Sequence, residues 1–86
     1  MNALQRSLLH EIVVFQPRVF QPQYQAIAHR VWRVTGGYGV SPVVAGSGLQ
    51  CRSLLTGEET RFDGMAVERL ATAADLLAVE RAKVQR

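Results

Sequence analysis

Arginines and aromatic residues interleave through the middle of this chain: Arg30, Trp32, Arg33, Tyr38, Arg52, Arg61 and Phe62. Guanidinium forks suit phosphates and carboxylates, while flat rings stack on bases or line a peptide groove. The charge distribution sharpens the pattern. No acid occurs between Ile12 and Gly57, a stretch holding Arg18, Arg30, Arg33 and Arg52, whereas Glu58, Glu59, Asp63, Glu68, Asp75 and Glu80 follow it. If the early strands share a face, that face is basic and would meet phosphate or an acidic protein. The plainer alternative is an ordinary solvated surface. The candidate contact face is Arg33, Tyr38, Arg52 and Arg61. Trp32, the only tryptophan, is assigned to the core, and Tyr38, amid glycines, is expected to stand exposed.

Other chemistries find little support. Two histidines, His10 and His29, and one cysteine, Cys51, fall short of the four ligands a structural zinc site takes, so no metal is expected. Cys51 sits on an alternating stretch and is read as a small core residue. Ser47 lies between glycines without the wider nucleophile-elbow pattern. The glycines at 36, 37, 39, 46 and 48 match neither dinucleotide nor P-loop spacing, so no cofactor is expected. Glu58 and Glu59 occupy a turn, with no burial to raise a pKa for acid–base work. No catalytic residue is assigned.

These groups need elements to hold them. Residues 2–10 suit a short amphipathic helix with Leu4, Leu8 and Leu9 inward, and Glu11–Phe15 suits a β-branched strand. Val14-Phe15-Gln16-Pro17 is echoed by Val19-Phe20-Gln21-Pro22. The prolines imply extended, polyproline-like chain or an edge strand. Phe15 and Phe20 then either cover an open end of the fold or serve as a docking motif. A strand is expected over 27–35, a glycine turn at 36–39, a short irregular strand over 40–45 and a second turn at 46–48. Leu49–Leu55 alternates as a strand, and Thr56-Gly57-Glu58-Glu59 closes a hairpin onto 60–62. Thr72 with Asp75 predicts a helix start of the capping-box kind. Ala73, Leu76, Leu77 and Val84 form that helix's expected buried stripe, with Arg81, Lys83 and Arg86 near its C-terminal end.

The fold class is therefore mainly β with a flanking helix. It is read as a small SH3-like barrel of about five short antiparallel strands, with a short N-terminal helix or extension and a C-terminal α-helix. The divisions are an extension over 1–25, the barrel over 26–71 and the helix over 72–86. With 86 residues and a lone thiol, one domain fits and internal disulfide stapling is ruled out. The 48% hydrophobic content implies spare apolar surface and self-association. No stretch reaches the ~20 apolar residues a bilayer span needs, so a soluble cytoplasmic protein is expected.

Phe62-Asp63-Gly64-Met65-Ala66-Val67-Glu68-Arg69-Leu70 resembles the end of an SH3-like barrel. It is similar in particular to the plasmid- and integron-borne type II dihydrofolate reductases, through Ala66, Glu68 and Arg69 with their apolar neighbours. The resemblance spans about half the chain. It implies a barrel, assembly of copies and a mobile-element origin. Where that family lines its tetrameric pore with Val-Gln-Ile-Tyr, this chain has Glu59-Thr60-Arg61-Phe62. The reading is a small non-enzymatic binding module with a protein or nucleic-acid partner. The alternatives are a small oligomeric enzyme with its site on a symmetry axis, as in the type II reductases, and a structural dimerisation subunit.

Overall fold

The structure, a computed structural model, describes residues 3–39 and 48–85. The strand expected over 40–45, the turn at 46–47 and Arg86 lie outside the described residues. Among the described residues, the α-helices and strands are α1 (Ala3–Leu8), β1 (Ile12–Phe15), α2 (Ile27–Arg30), β2 (Val31–Tyr38), β3 (Gly48–Ser53), β4 (Glu59–Asp63), β5 (Val67–Leu70) and α3 (Ala73–Val84). The strands form one antiparallel sheet in the order β4-β3-β2-β1-β5. A single 3₁₀ turn, Gly64–Ala66, separates β4 from β5. Asp63 caps that turn, its carboxylate accepting from the Met65 amide at 2.9 Å.

Period-two alternation buries one sheet face, and α2 and α3 cover part of the other. Val13, Phe15, Trp32, Val34, Leu49, Cys51 and Ala66 make one apolar cluster, onto which Leu8, Phe20, Phe62 and Val67 pack. Val14, Val31, Ala28, Leu55 and Val79 make the other, where α2 and α3 cover the sheet. Each fully buried aliphatic side chain contributes about 1.5–3 kcal/mol, so two small clusters serve a chain that could not fill one large core. Irregularities at Val14/Phe15 and Val34/Gly36 shift the register, adding the twist that curls a short sheet.

Several expectations are corrected. β1 lies between β2 and β5, not on an edge, because the prolines that would bar it fall just beyond its end. Pro17 and Pro22 each open a 3₁₀ turn, Pro17–Val19 and Pro22–Tyr24, rather than extending the chain. Proline suits a first helical position, where its missing amide costs nothing. The strand expected from residue 27 begins at Val31, since 27–30 form one helical turn that buries Ala28. β2 then continues through Gly36 and Gly37, with its register shift at Val34/Gly36, instead of turning there.

At Gly37 the neighbouring side chain is Gln5. This side chain is 1% exposed and its amide donates to the Tyr38 and Gly48 carbonyls at 3.2 and 2.8 Å. A Cβ on Gly37 would stand 2.5 Å from the Gln5 Cδ, so the glycine provides clearance and not curvature. Thus α1 buries its glutamine, while Leu4 stays exposed.

The helix over 73–84 forms with the expected Thr72–Asp75 capping box, yet turns its other side inward. Asp75 and Val79 are buried and Ala82 packs against their cluster, while Leu76, Leu77 and Val84 are exposed. Asp75 decides this. Its carboxylate accepts from the Thr72 amide at 2.7 Å and from Arg69 Nη2 at 3.0 Å, with Arg69 Nη1 on its other oxygen. Burying Leu76 and Leu77 instead would break that bidentate pair.

Candidate functional site

The register brings the expected arginines onto one exposed face. Directly opposed residues in an antiparallel pair share a face, and Arg33 opposes Arg52, which opposes Glu59. One rung along, Gln50 opposes Arg61. Each guanidinium is tethered. Arg33 Nη1 donates to the His10 carbonyl at 3.2 Å, made reachable because His10 adopts a left-handed φ of 69°. Arg52 Nη2 meets Glu59 Oε1 at 2.8 Å, and Arg61 Nε meets Gln50 Oε1 at 3.3 Å. Exposed pairs of this kind add little stability; their effect here is to fix where the cations point.

Tyr38 differs from expectation. It ends β2 half-buried, its ring lying against Gly48, where a Cβ would come within 2.6 Å of Cζ. The Arg61 guanidinium lies 5.0 Å from the ring centroid, so Tyr38 is a platform for Arg61, a cation–π arrangement. Arg30 is structural. It donates to the Phe15 and Gln25 carbonyls at 3.0 Å each and ties down the long β1–β2 connection.

That connection builds a second feature, one that sequence reasoning missed. An open groove of about 590 Å³ runs between it and β4, walled by Phe20, Tyr24, His29, Trp32 and Phe62, with Glu58 at the rim. The Trp32 and Phe62 centroids are 4.9 Å apart at 74°, and Phe20 lies 5.7 Å from Phe62. Trp32 is 6% exposed and its indole N–H donates to the His29 carbonyl at 2.9 Å, so it belongs to the core and to the groove floor at once. Gln25 holds the loop's shape, donating to the Pro17 and Phe20 carbonyls at 3.2 Å each. The signal was present in the sequence as the spacing of Phe20 and Tyr24 around Pro22, but nothing local shows which way they face.

The remaining reactive groups are occupied in structure. Burial pushes the Cys51 thiol up to about 12, which keeps it protonated and non-nucleophilic. The Arg69 fork and the Thr72 cap hold the Asp75 carboxyl far below the usual carboxylate range, against the opposing effect of its burial. Among the described residues no three His, Cys, Asp or Glu side chains converge as metal ligands would, and no helix is long and apolar enough to cross a membrane. No family model matches the chain, and no curated protein or solved structure matches it either.

Proposed function

We propose that this chain is a non-enzymatic binding module, acting in the cytoplasm, that holds single-stranded nucleic acid on the outer face of β2, β3 and β4. The observation that carries the reading is the Arg33–Arg52 rung with Arg61 beside it, three tethered guanidiniums on one exposed face. Strands ~4.8 Å apart set such cations close enough to follow one phosphate chain. Glu59 offsets one of them, and Arg33 and Arg61 keep donors to spare.

Filter binding of a short single strand across a salt series tests the idea. Three phosphate contacts predict a log–log slope of roughly −2, and Arg33→Ala should reduce its magnitude by about 0.7. A salt-insensitive isotherm, or no retention at low salt, would leave an acidic protein surface as the better partner.

A second reading is self-association through α3, and the exposure of Leu76 (38%) and Leu77 (50%) favours it. Assembly of copies is also what the resemblance to the type II dihydrofolate reductases implies. Leu77→Glu is then expected to convert an oligomer to monomers in sedimentation velocity, with folding intact because the residue faces solvent. An unchanged sedimentation coefficient would remove the reading.

A further inference from the structure

The aromatic groove does not end at β4. A second hollow of about 390 Å³, lined by Arg18, Arg61, Asp63 and Met65 among others, shares Val19, Thr60 and Phe62 with it. The two hollows adjoin, the first walled by aromatic rings and the second bearing two cations. Arg61 lines the second hollow and also stands on the outer sheet face.

Both cations are aimed by their Nε atoms. Arg18 Nε donates to Gln16 Oε1 at 2.6 Å and Arg61 Nε to Gln50 Oε1 at 3.3 Å. Among the described residues, the terminal nitrogens of both forks have no hydrogen-bond partner. Asp63, the acid of the second hollow, is turned to the Met65 amide. Fixed forks with free terminal donors, set beside flat apolar walls, fit a ligand that is anionic at one end and a planar ring at the other. An added peptide strand fits less well. β4 carries Glu59, Arg61 and Asp63, and charges along an edge strand oppose pairing with another chain.

Building on the nucleic-acid reading above, we infer that a single strand crossing the outer face turns over the β4 edge at Arg61 and lodges one base in the aromatic groove. Arg18 and Arg61 hold the phosphate next to that base. Phe20 and Tyr24 supply the stacking walls and Trp32 the floor. Glu58 at the rim accepts from the base's amino or imino edge.

The single tryptophan makes the groove its own reporter. End-labelled oligothymidylate of about ten nucleotides is titrated into the full chain while label anisotropy and Trp32 emission are followed together. Anisotropy reads binding anywhere on the protein, and emission reads the groove. The expected result is a joint transition, with an abasic backbone of equal length raising anisotropy without quenching. Tyr24→Ala, at a side chain 46% exposed, should weaken binding on the order of tenfold and reduce the quench. Arg18→Ala should weaken binding and leave the quench at saturation intact. Circular dichroism of each variant checks that it is folded.

Binding with unchanged Trp32 emission, or equal quenching by the abasic backbone, would overturn the groove inference and leave the sheet-face reading standing. No anisotropy change at low salt would overturn both. Quenching by a proline-rich peptide but not by the oligomer would give the groove to a protein partner, and this inference would be wrong.

Discussion

Gly48→Ala is expected to destabilise the fold by roughly 3 kcal/mol, lowering Tm by more than about 10 °C in a domain of this size. A Cβ there would stand 2.5 Å from the Tyr38 carbonyl oxygen and 2.6 Å from the Tyr38 ring. The first obstacle is backbone, so the methyl is accommodated only by parting β2 from β3. Gln5 loses by the same movement, since its amide donates to the Tyr38 and Gly48 carbonyls together. A buried amide that loses its partners adds about 1–3 kcal/mol. Gly36→Ala is the control. Its Cβ would meet only the Gln50 Cβ at 3.9 Å, and alanine there should be neutral or stabilising by up to about 1 kcal/mol. Gly37→Ala should fall between the two, because it strikes the movable end of the Gln5 side chain. Denaturant midpoints for the three variants check the order. Equal midpoints would mean that α1 does not dock on the β2–β3 hairpin as described. Because the Tyr38 ring underlies Arg61, Gly48→Ala should also weaken oligonucleotide binding several-fold under conditions where it remains folded.

Asp75→Asn is expected to cost about 2 kcal/mol at neutral pH, or roughly 10 °C in Tm. The carboxylate is 5% exposed. It caps α3 through Thr72 and takes both terminal nitrogens of Arg69. Asparagine retains an oxygen for the cap but loses the charge-assisted fork. Arg69 is 41% exposed, so water recovers part of that loss and the figure stays below that for a fully buried pair. The pH dependence follows from the direction of the shift. The folded carboxyl titrates well below its unfolded value near 3.8. Its contribution is therefore complete above about pH 5 and is lost progressively as pH falls through the unfolded value and beyond. The wild-type midpoint should drop between about pH 7 and pH 3 by more than that of Asp75→Asn, the two curves converging in acid. Parallel curves would mean that the Arg69–Asp75 pair does not hold α3.

Local chemistry in the sequence determined a good part of this protein. The left-handed glycine of the β3–β4 hairpin, Gly57 at φ 79°, the Thr72–Asp75 capping box and the Leu49–Ser53 alternation that buries Cys51 were all legible. Each is fixed by a few neighbouring residues whose torsions or caps permit one conformation. For Arg52 the alternation of its strand assigned a side before any partner strand was known. That Arg33, Arg52 and Arg61 share one exposed face was decided by the pairing register.

Only the tertiary structure decided which surfaces became interior. The glycines at 36 and 37 read as a turn, yet both lie within a strand, and at Gly37 the space a side chain would fill is taken by Gln5, distant in sequence. The leucines of α3 form a stripe that hydrophobicity alone would bury. One bidentate bond between Arg69 and Asp75 rotates the helix so that Val79 goes inward instead. The groove likewise joins residues of the β1–β2 connection to β2 and β4, and no short-range pattern signals such a meeting. Backbone preference acts over neighbouring residues and can be read along a chain, whereas burial is a competition among distant groups for the same space, settled only when the chain is folded.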